Sequence, residues 1–142
     1  MGFIYRLQLA WYKLGLRRAI RRYGWTAVYV GDYHSAPTWV YTLGVDQTLN
    51  HPEIIVFDTT QTDANALLWM AFERVRSGDL VIEDGQDMPL SEGPNPVWRK
   101  VHPEQIDEWL PLACMRRFEL TRRRSDLEAY QLVLRDGKDR LP

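Results

Sequence analysis

The sequence has one cysteine, three histidines and no apolar run long enough to cross a membrane, and each shortage excludes a class of protein. A single cysteine, Cys114, cannot form an intramolecular disulfide, so a reducing compartment fits the chain best. No stretch approaches the roughly eighteen consecutive apolar residues that a membrane span needs. The N-terminal stretch is also unlike a secretory signal, because Arg6 and Lys13 interrupt its apolar residues. We therefore expect a cytoplasmic protein without a transmembrane segment.

Common catalytic and metal-binding motifs are missing as well. There is no Walker loop, Gly-x-Gly-x-x-Gly, Gly-x-Ser-x-Gly or His-Glu-x-x-His. A zinc deaminase needs a Pro-Cys-x-x-Cys segment, which one cysteine cannot supply. Scattered metal ligands could converge only through the fold, and they are His34, His51, Glu53 and His102. We therefore expect neither a metal nor another cofactor.

The single cysteine and the acidic residues at an Asp-Gly turn could each have a chemical role or only a structural one. Cys114 is a possible nucleophile, because Arg116 and Arg117 could lower the pKa of its thiol. Its helical spacing from Leu110 and Phe118 favours simple packing. The second group is acidic and flanks an Asp-Gly turn, where charged side chains are usually just solvated, so we assign no role to Glu83, Asp84 and Asp87.

The chain is long and apolar enough for one domain with its own core. It has 142 residues, of which 45% are hydrophobic and 12% aromatic. Its 18 basic and 19 acidic residues nearly balance, but residues 1–24 hold six bases and no acid. The leading segment thus carries a charge of +6 and the remainder −7. Such a segment can dock on its own body, on a partner or on an anionic surface.

Hydrophobic periodicity and turn residues predict strands and helices in mixed order. Predicted strands are rich in β-branched and aromatic residues, at 25–32, 38–45, 53–58, 80–87, 97–101 and 129–134. Predicted helices have apolar residues three and four positions apart, at 3–22, 63–78, 102–109 and 112–120. The early strands are joined by loops too short for a crossover helix, so they should pair antiparallel. We predict an α+β domain at 24–142, built on a single twisted, mainly antiparallel sheet with helices packed on it. A basic amphipathic helix at 1–23 is added to it.

Finer patterns give sharper expectations within these elements. The unbroken apolar run of 53–58 predicts a central strand buried on both faces. Thr60 or Thr62 can cap the start of the 63–78 helix, and Gly78 can end it. The segment 46–50 is predicted as a loop. Alternation in the second strand places Thr42 and Gly44 on one face and a larger set on the other, namely Trp39, Tyr41, Leu43 and Val45.

The N-terminal helix presents two different apolar faces along its length. One face carries the apolar residues of its first half: Phe3, Ile4, Leu7, Ala10, Trp11 and Leu14. After Gly15 another face carries Leu16, Ala19, Ile20 and Tyr23. The helix either kinks at Gly15 or buries one half on its own domain and the other on a partner. We favour docking on its own body or a homodimer, because Leu7, Trp11 and Leu14 need cover in water.

The order of signals from Gly24 onward resembles a bacterial family. Those signals are Gly24-Trp25 opening a strand, "WVYTLGV", "HPEIIVFD", a helix ending in "ERVRSGD", an acidic Asp-Gly turn, "EWLPLA" and "AYQLVLRDGKDRLP". Together they are similar to the family catalogued as domain of unknown function 4262, over about residues 24–142 and without the basic helix. Many members carry an aromatic near the end, where this chain has "LRDGKDRLP". The resemblance implies a cytoplasmic bacterial protein and no particular reaction.

The segment between the second and third strands holds the best candidates for a binding site. Pro52 rigidifies the entry to the third strand, with His51 and Glu53 beside it at the strand end. His51 could be a general base or an anion binder oriented by Glu53, or it could hydrogen-bond the loop while Glu53 pairs with an arginine. Gly44 marks either a ligand's close approach or a bulge. We predict a small ligand-binding site formed by Tyr41, Thr42, Gly44, His51 and Glu53.

Three functions are consistent with these patterns. The first is a non-enzymatic cytoplasmic binding or accessory protein with a small pocket near the segment from Tyr41 to Glu53. The second is a small-molecule enzyme that uses His51 as acid–base and Glu53 as its orienter. The third is a binder of an anionic surface, either nucleic acid or membrane, through the basic N-terminal helix. We favour the first, as a homodimer assembled through that helix.

Overall fold

The computed structural model describes residues 2–31, 37–122 and 126–135, with side chains for 11–31, 39–122 and 126–135. Some features predicted above lie outside these residues. They are His34, the end of the first predicted strand at 32 and most of the final segment "LRDGKDRLP".

One five-stranded mixed sheet organises the described part of the chain. Its strands are β1 (Thr26–Gly31), β2 (Pro37–Leu43), β3 (Glu53–Phe57), β4 (Val97–Lys100) and β5 (Ala129–Val133). Their spatial order is β1-β2-β3-β5-β4. The β1–β2, β2–β3 and β4–β5 pairs are antiparallel, while β3 and β5 run parallel. The predicted α+β class and mainly antiparallel sheet are therefore confirmed, with β3 at the centre as its apolar run indicated.

Five helices accompany the sheet in the described residues. They are α1 (Gly2–Tyr23), α2 (Val45–Leu49), α3 (Gln61–Ser77), α4 (Pro103–Trp109) and α5 (Pro111–Thr121). The predicted ends of α3 are confirmed: the Thr60 hydroxyl accepts a hydrogen bond from the Asp63 N–H at 3.1 Å, and Gly78 closes the helix at φ 86°. Pro103 occupies the first turn of α4, where no intrahelical donor is lost. No helix among the described residues is both long and apolar enough to span a bilayer.

The two faces of the sheet are covered by different helices. On one face α3 contributes Leu68 and Phe72 to a core with Trp98. On the other face α4 and α5 pack over Tyr41 and Ile55. Both faces of β3 are buried, because Ile54 and Val56 belong to the first core and Ile55 to the second.

Two local predictions are wrong. The predicted loop at 46–50 is mostly the short helix α2, so Val45 leaves the strand face of Tyr41 and Leu43 and joins the opposite core. The turn into α2 is made by Gly44 at φ 109°, and side-chain hydrogen bonds from the next strand stabilise the first N–H groups of α2.

The predicted strand at 80–87 is also not a strand. Gly85 has a φ of 85°, and the segment pairs with β4 through one isolated bridge, between Asp87 and Val97. Its buried residues alternate as a strand's would, which explains the prediction: they are Leu80, Ile82 and Met88. The segment packs these three side chains against the first core without a regular partner strand, and this packing gives the alternating pattern of burial.

Helix α1 is continuous through Gly15 and meets the domain with its second half. Ile20 is 4% exposed in the second core, and Leu16 packs beside it. Trp11 and Leu14, which belong to the first-half face, are 64% and 37% exposed. The two apolar faces of α1 therefore differ in the described chain: the second-half face covers the domain, and the first-half residues Trp11 and Leu14 remain uncovered.

Candidate functional site

Glu53 is a buried carboxylate at the start of the central strand β3. Its side chain is 2% exposed and accepts four hydrogen bonds. The Thr42 hydroxyl donates to Oε1 at 2.7 Å. Three backbone N–H groups at the start of α2 donate at 3.1–3.2 Å, from Gly44, Val45 and Asp46. The carboxylate thus stabilises the turn from β2 into α2, since those N–H groups have no partner within the helix.

Burial and hydrogen bonding act in opposite directions on this carboxylate. Burial disfavours the charged form, whereas four donors stabilise it. Desolvation dominates and raises the pKa of Glu53 to about 7, with the Asp46 charge adding a smaller upward contribution. Glu53 therefore changes protonation near neutral pH inside the fold.

Thr42 and Gly44 are both buried, and each donates a hydrogen bond to the Glu53 carboxylate. The Thr42 oxygen also accepts a hydrogen bond from the Ile54 N–H at 2.8 Å, which ties β2 to β3. A Cβ on Gly44 would lie 2.9 Å from Ile20 Cγ2 and 3.1 Å from the Gly24 carbonyl oxygen. The close approach at Gly44 is thus made by α1 and by the residue that follows it, and the glycine also supplies the positive φ.

Tyr41 and His51 lie outside this network. Tyr41 belongs to the opposite core, where its hydroxyl accepts a hydrogen bond from the Leu112 N–H at 3.2 Å. Burial raises the pKa of that phenol above its usual range. His51 is half-buried, and its Nδ1–H donates to the Pro52 carbonyl at 2.8 Å. Of the five predicted residues, the structure brings together Thr42, Gly44 and Glu53.

The other candidates have local structural partners. His102 caps α4, its Nδ1 accepting from the Glu104 N–H at 3.2 Å. Cys114 is buried, with its thiol 3.8 Å from the Ile106 carbonyl oxygen. Asp84 accepts a hydrogen bond from the Lys100 N–H at 3.0 Å. Among the described residues, no group of three or more His, Cys, Asp or Glu side chains could hold a metal ion.

A groove opens to solvent beside the Glu53 network, between α1, α2 and α5. Its volume is about 320 Å³. The lining residues are Arg17, Ile20, Arg21, Gln47, Thr48, Arg116, Glu119 and Leu120. A smaller hollow of about 40 Å³ shares Arg17, Arg116 and Glu119 with it. The rest of that hollow is mostly apolar, being lined by Lys13, Leu16, Leu43, Leu112 and Met115.

Basic side chains predominate among the charged residues that line the groove and the smaller hollow. Lys13, Arg17 and Arg21 follow one another at intervals of four, so they lie along one side of α1. Arg116 faces them from α5, and its pKa is lowered first by burial and then by the charge of Arg17. Glu119 is the one acid that lines either hollow in the described chain, 3.9 Å from the Arg17 guanidinium.

The Glu53 network and the groove are connected through α2. Gln47 and Thr48 on α2 line the groove, and the side-chain oxygen Oε1 of Gln47 accepts a hydrogen bond from Arg116 Nε at 3.0 Å. Thr48 donates to the Gly24 carbonyl at the end of α1. Because Glu53 holds the first turn of α2, it also positions this wall of the groove.

The sequence did not predict that these residues form one groove. The four-residue spacing of Lys13, Arg17 and Arg21 is a usable signal for a basic ridge on a helix. No sequence pattern pairs that ridge with Arg116, which is almost a hundred residues later. Gln47 and Thr48 belong to a segment that was predicted as a loop, so their position on a helix facing α5 was not expected.

Comparison with known proteins identifies the family. The family model described as Domain of unknown function (DUF4262) matches residues 19–142. That match covers most of the chain, so the chain belongs to this family, and the resemblance found in its motifs is confirmed. No curated protein and no solved structure gives a significant match.

Proposed function

We propose that this member of the DUF4262 family is a non-enzymatic binding protein, and that its ligand occupies the groove between α1, α2 and α5. The observation that carries the proposal is the groove itself, which is about 320 Å³ in volume and open to solvent. Small-molecule sites typically begin at about 300 Å³ and combine apolar walls with a few placed polar groups. Ile20 and Leu120 supply apolar surface here, and Gln47 and Arg116 supply the polar groups.

The groove lies beside the segment in which the sequence predicted a pocket. Gln47 and Thr48 belong to that segment and line the groove, and Leu43 lines the smaller hollow. The predicted residues Thr42, Gly44 and Glu53 support the proposal indirectly, since they hold α2 in place. Their role in this proposal is to position the wall of the groove without touching the ligand.

Native mass spectrometry of the freshly purified full chain tests the proposal. Leu120→Trp fills the groove from a side chain that is already 52% exposed, so the fold should tolerate it. Val81→Trp, at 66% exposure and away from the groove, is the matched control. We expect a retained mass in the wild type and in Val81→Trp that is lost in Leu120→Trp. A retained mass that survives Leu120→Trp unchanged contradicts binding in the groove.

The enzyme hypothesis is the alternative, with His51 as acid–base and Glu53 as its orienter. Its support is the position of Glu53, two residues after His51 at the entry to β3, where burial raises the pKa of the carboxylate to about 7. The four donors around Glu53 do not include His51, which weighs against it. In this hypothesis His51→Ala abolishes turnover and the ligand-induced rise in Tm, while the unliganded variant remains folded.

We also propose that the protein is a cytoplasmic homodimer assembled through α1. Trp11 and Tyr12 are 64% and 48% exposed, on a helix whose segment carries +6 against −7 for the rest of the chain. In a two-fold dimer each α1 can lie against the acidic body of the other copy. Light scattering should give a dimer that becomes monomeric in the double variant Trp11→Ser, Leu14→Ser. Val81→Ser is the control, and a wild-type monomer at high micromolar concentration rules the dimer out.

A further inference from the structure

We infer that the groove is a dianion site, built to take the phosphate group of a small soluble phosphate monoester. The inference rests on the function proposed above and names the class of ligand. Its basis is that arginines from two helices line the same groove, Arg17 and Arg21 from α1 and Arg116 from α5.

The side chains that line the groove carry a net positive charge, and of the acids behind the lining Glu53 also acts on Arg116. Three arginines and one glutamate line it, which leaves a charge of +2. The one ion pair is long, with Arg17 and Glu119 at 3.9 Å and both side chains about half exposed. Arg116 instead contacts the neutral amide of Gln47, and Arg21 forms no ion pair with any carboxylate in the described residues. Like charges held together in this way favour an anion between them.

The chemistry of arginine selects the type of anion. A guanidinium presents a planar fork of N–H donors that binds a phosphate or carboxylate with two parallel hydrogen bonds. A phosphate monoester carries about −1.5 to −2 at pH 7, which matches the groove, whereas a carboxylate leaves about one positive charge uncompensated.

The smaller hollow indicates what is attached to the phosphate. It adjoins the groove through Arg17 and Arg116, and Leu16, Leu43 and Leu112 line it. At about 40 Å³ it is much smaller than the groove, so we expect it to take a short apolar group. A small aliphatic phosphate therefore fits both hollows, with its charge in the groove and its carbon chain against the leucines.

Calorimetric titration of the full chain can separate the charge from the carbon chain. The probes are propyl phosphate, inorganic phosphate, butyrate and 1-propanol. We expect propyl phosphate to bind best, butyrate at least tenfold more weakly, and 1-propanol not at all. Raising the salt concentration should weaken the phosphate affinities, because the contacting charges are partly exposed.

Arginine variants then locate the binding. Arg116→Gln and Arg21→Gln should each weaken propyl phosphate binding about tenfold or more, which is the loss of one charge-assisted hydrogen bond. Arg21 is exposed on α1, so its variant remains informative if Arg116→Gln is poorly folded. Arg99→Gln is the control, since Arg99 is exposed on β4, an edge strand on the far side of the sheet. Equal losses in all three variants overturn the inference, because they indicate non-specific charge.

Three further outcomes separate the failure of this inference from the failure of the proposed function. If butyrate or 1-propanol binds as tightly as propyl phosphate and Leu120→Trp abolishes the binding, the groove is a binding site and the dianion inference is wrong. If no probe binds and no mass is retained on the purified protein, both proposals fail. Binding only to vesicles of phosphatidic acid in phosphatidylcholine, with no response to propyl phosphate, assigns the site to a lipid headgroup and overturns the soluble ligand.

Discussion

The hydroxyl of Thr42 on β2 donates a hydrogen bond to the carboxylate of Glu53 on β3, at 2.7 Å and out of contact with solvent. The same oxygen accepts from the Ile54 N–H, so one threonine connects the side chain of Glu53 to the strand that carries it. A buried carboxylate needs such partners, because an unpaired buried charge is strongly destabilising. The pair Thr42–Glu53 therefore links the core of the sheet to α2 and, through α2, to the groove.

Replacing Thr42 by valine should destabilise the fold without changing its shape. Valine has nearly the same volume but neither donates to Glu53 nor accepts from Ile54. We expect a loss of about 2 kcal/mol in the free energy of unfolding, the usual cost of leaving buried polar groups without partners. Urea denaturation measures this loss. Thr62→Val is the control, since Thr62 is exposed; equal losses in the two variants would contradict the structural role of Thr42.

The protonation of Glu53 should make stability depend on pH near neutrality. Its pKa of about 7 in the folded state exceeds the ordinary value of 4.5, so the folded protein binds this proton more tightly than the unfolded chain does. The resulting stabilisation is complete below pH 4.5 and is lost as the pH rises through 7. Integrated over that range it amounts to about 3 kcal/mol.

Unfolding free energies of the wild type and Glu53→Gln between pH 4.5 and 8 measure this contribution. Glutamine does not titrate, so the difference between the two proteins isolates Glu53 from the other ionisable groups. The wild type should lose about 3 kcal/mol more than the variant over this range. Parallel curves would mean that the pKa of Glu53 in the folded state is ordinary.

Gly44→Ala should be more costly than an alanine at another glycine of similar conformation. Gly44 has φ 109°, and a Cβ there would lie 2.9 Å from Ile20 on α1. Gly78 has φ 86° but open space around it. We expect about 1 kcal/mol for Gly78→Ala from backbone strain, and about 1–3 kcal/mol more for Gly44→Ala from the clash. Thermal unfolding of both variants gives the comparison. Equal losses would show that α1 can move away from Gly44 without a loss of stability.

Arg117→Gln should loosen the first turn of α2, where its partner Asp46 lies. Arg117 pairs with Asp46 at 2.9 Å and with Asp126 at 3.3 Å, and its side chain is 22% exposed. Because solvent reaches this cluster, we expect a loss of only about 1 kcal/mol, which decreases as salt is added. The exposed pair of Arg76 and Glu73 supplies the control, where Arg76→Gln should leave stability unchanged. A loss that persists at high salt would point to packing by the arginine stem.

The candidate site was predictable in part. The alternation of β2 and the entry of β3 placed Thr42, Gly44 and Glu53 near one another, and the structure brings them together. Tyr41 was grouped with them by sequence proximity, yet the alternation of a strand turns it to the opposite core. Whether a polar residue at a strand end faces a ligand or the protein depends on what packs over it, and here the start of α2 covers Glu53.

The sequence by itself determined the elements whose signals are local. The periodicity and caps of α3 and the unbroken apolar run of β3 depend on neighbours within a few residues, and both predictions are confirmed. Tertiary structure decided what distant residues create together. Helix α2 begins where a carboxylate from the next strand accepts its N–H groups, and the groove exists because Arg116 packs opposite Arg17. Such features depend on pairing across the fold, which hydrophobic period and turn chemistry do not encode.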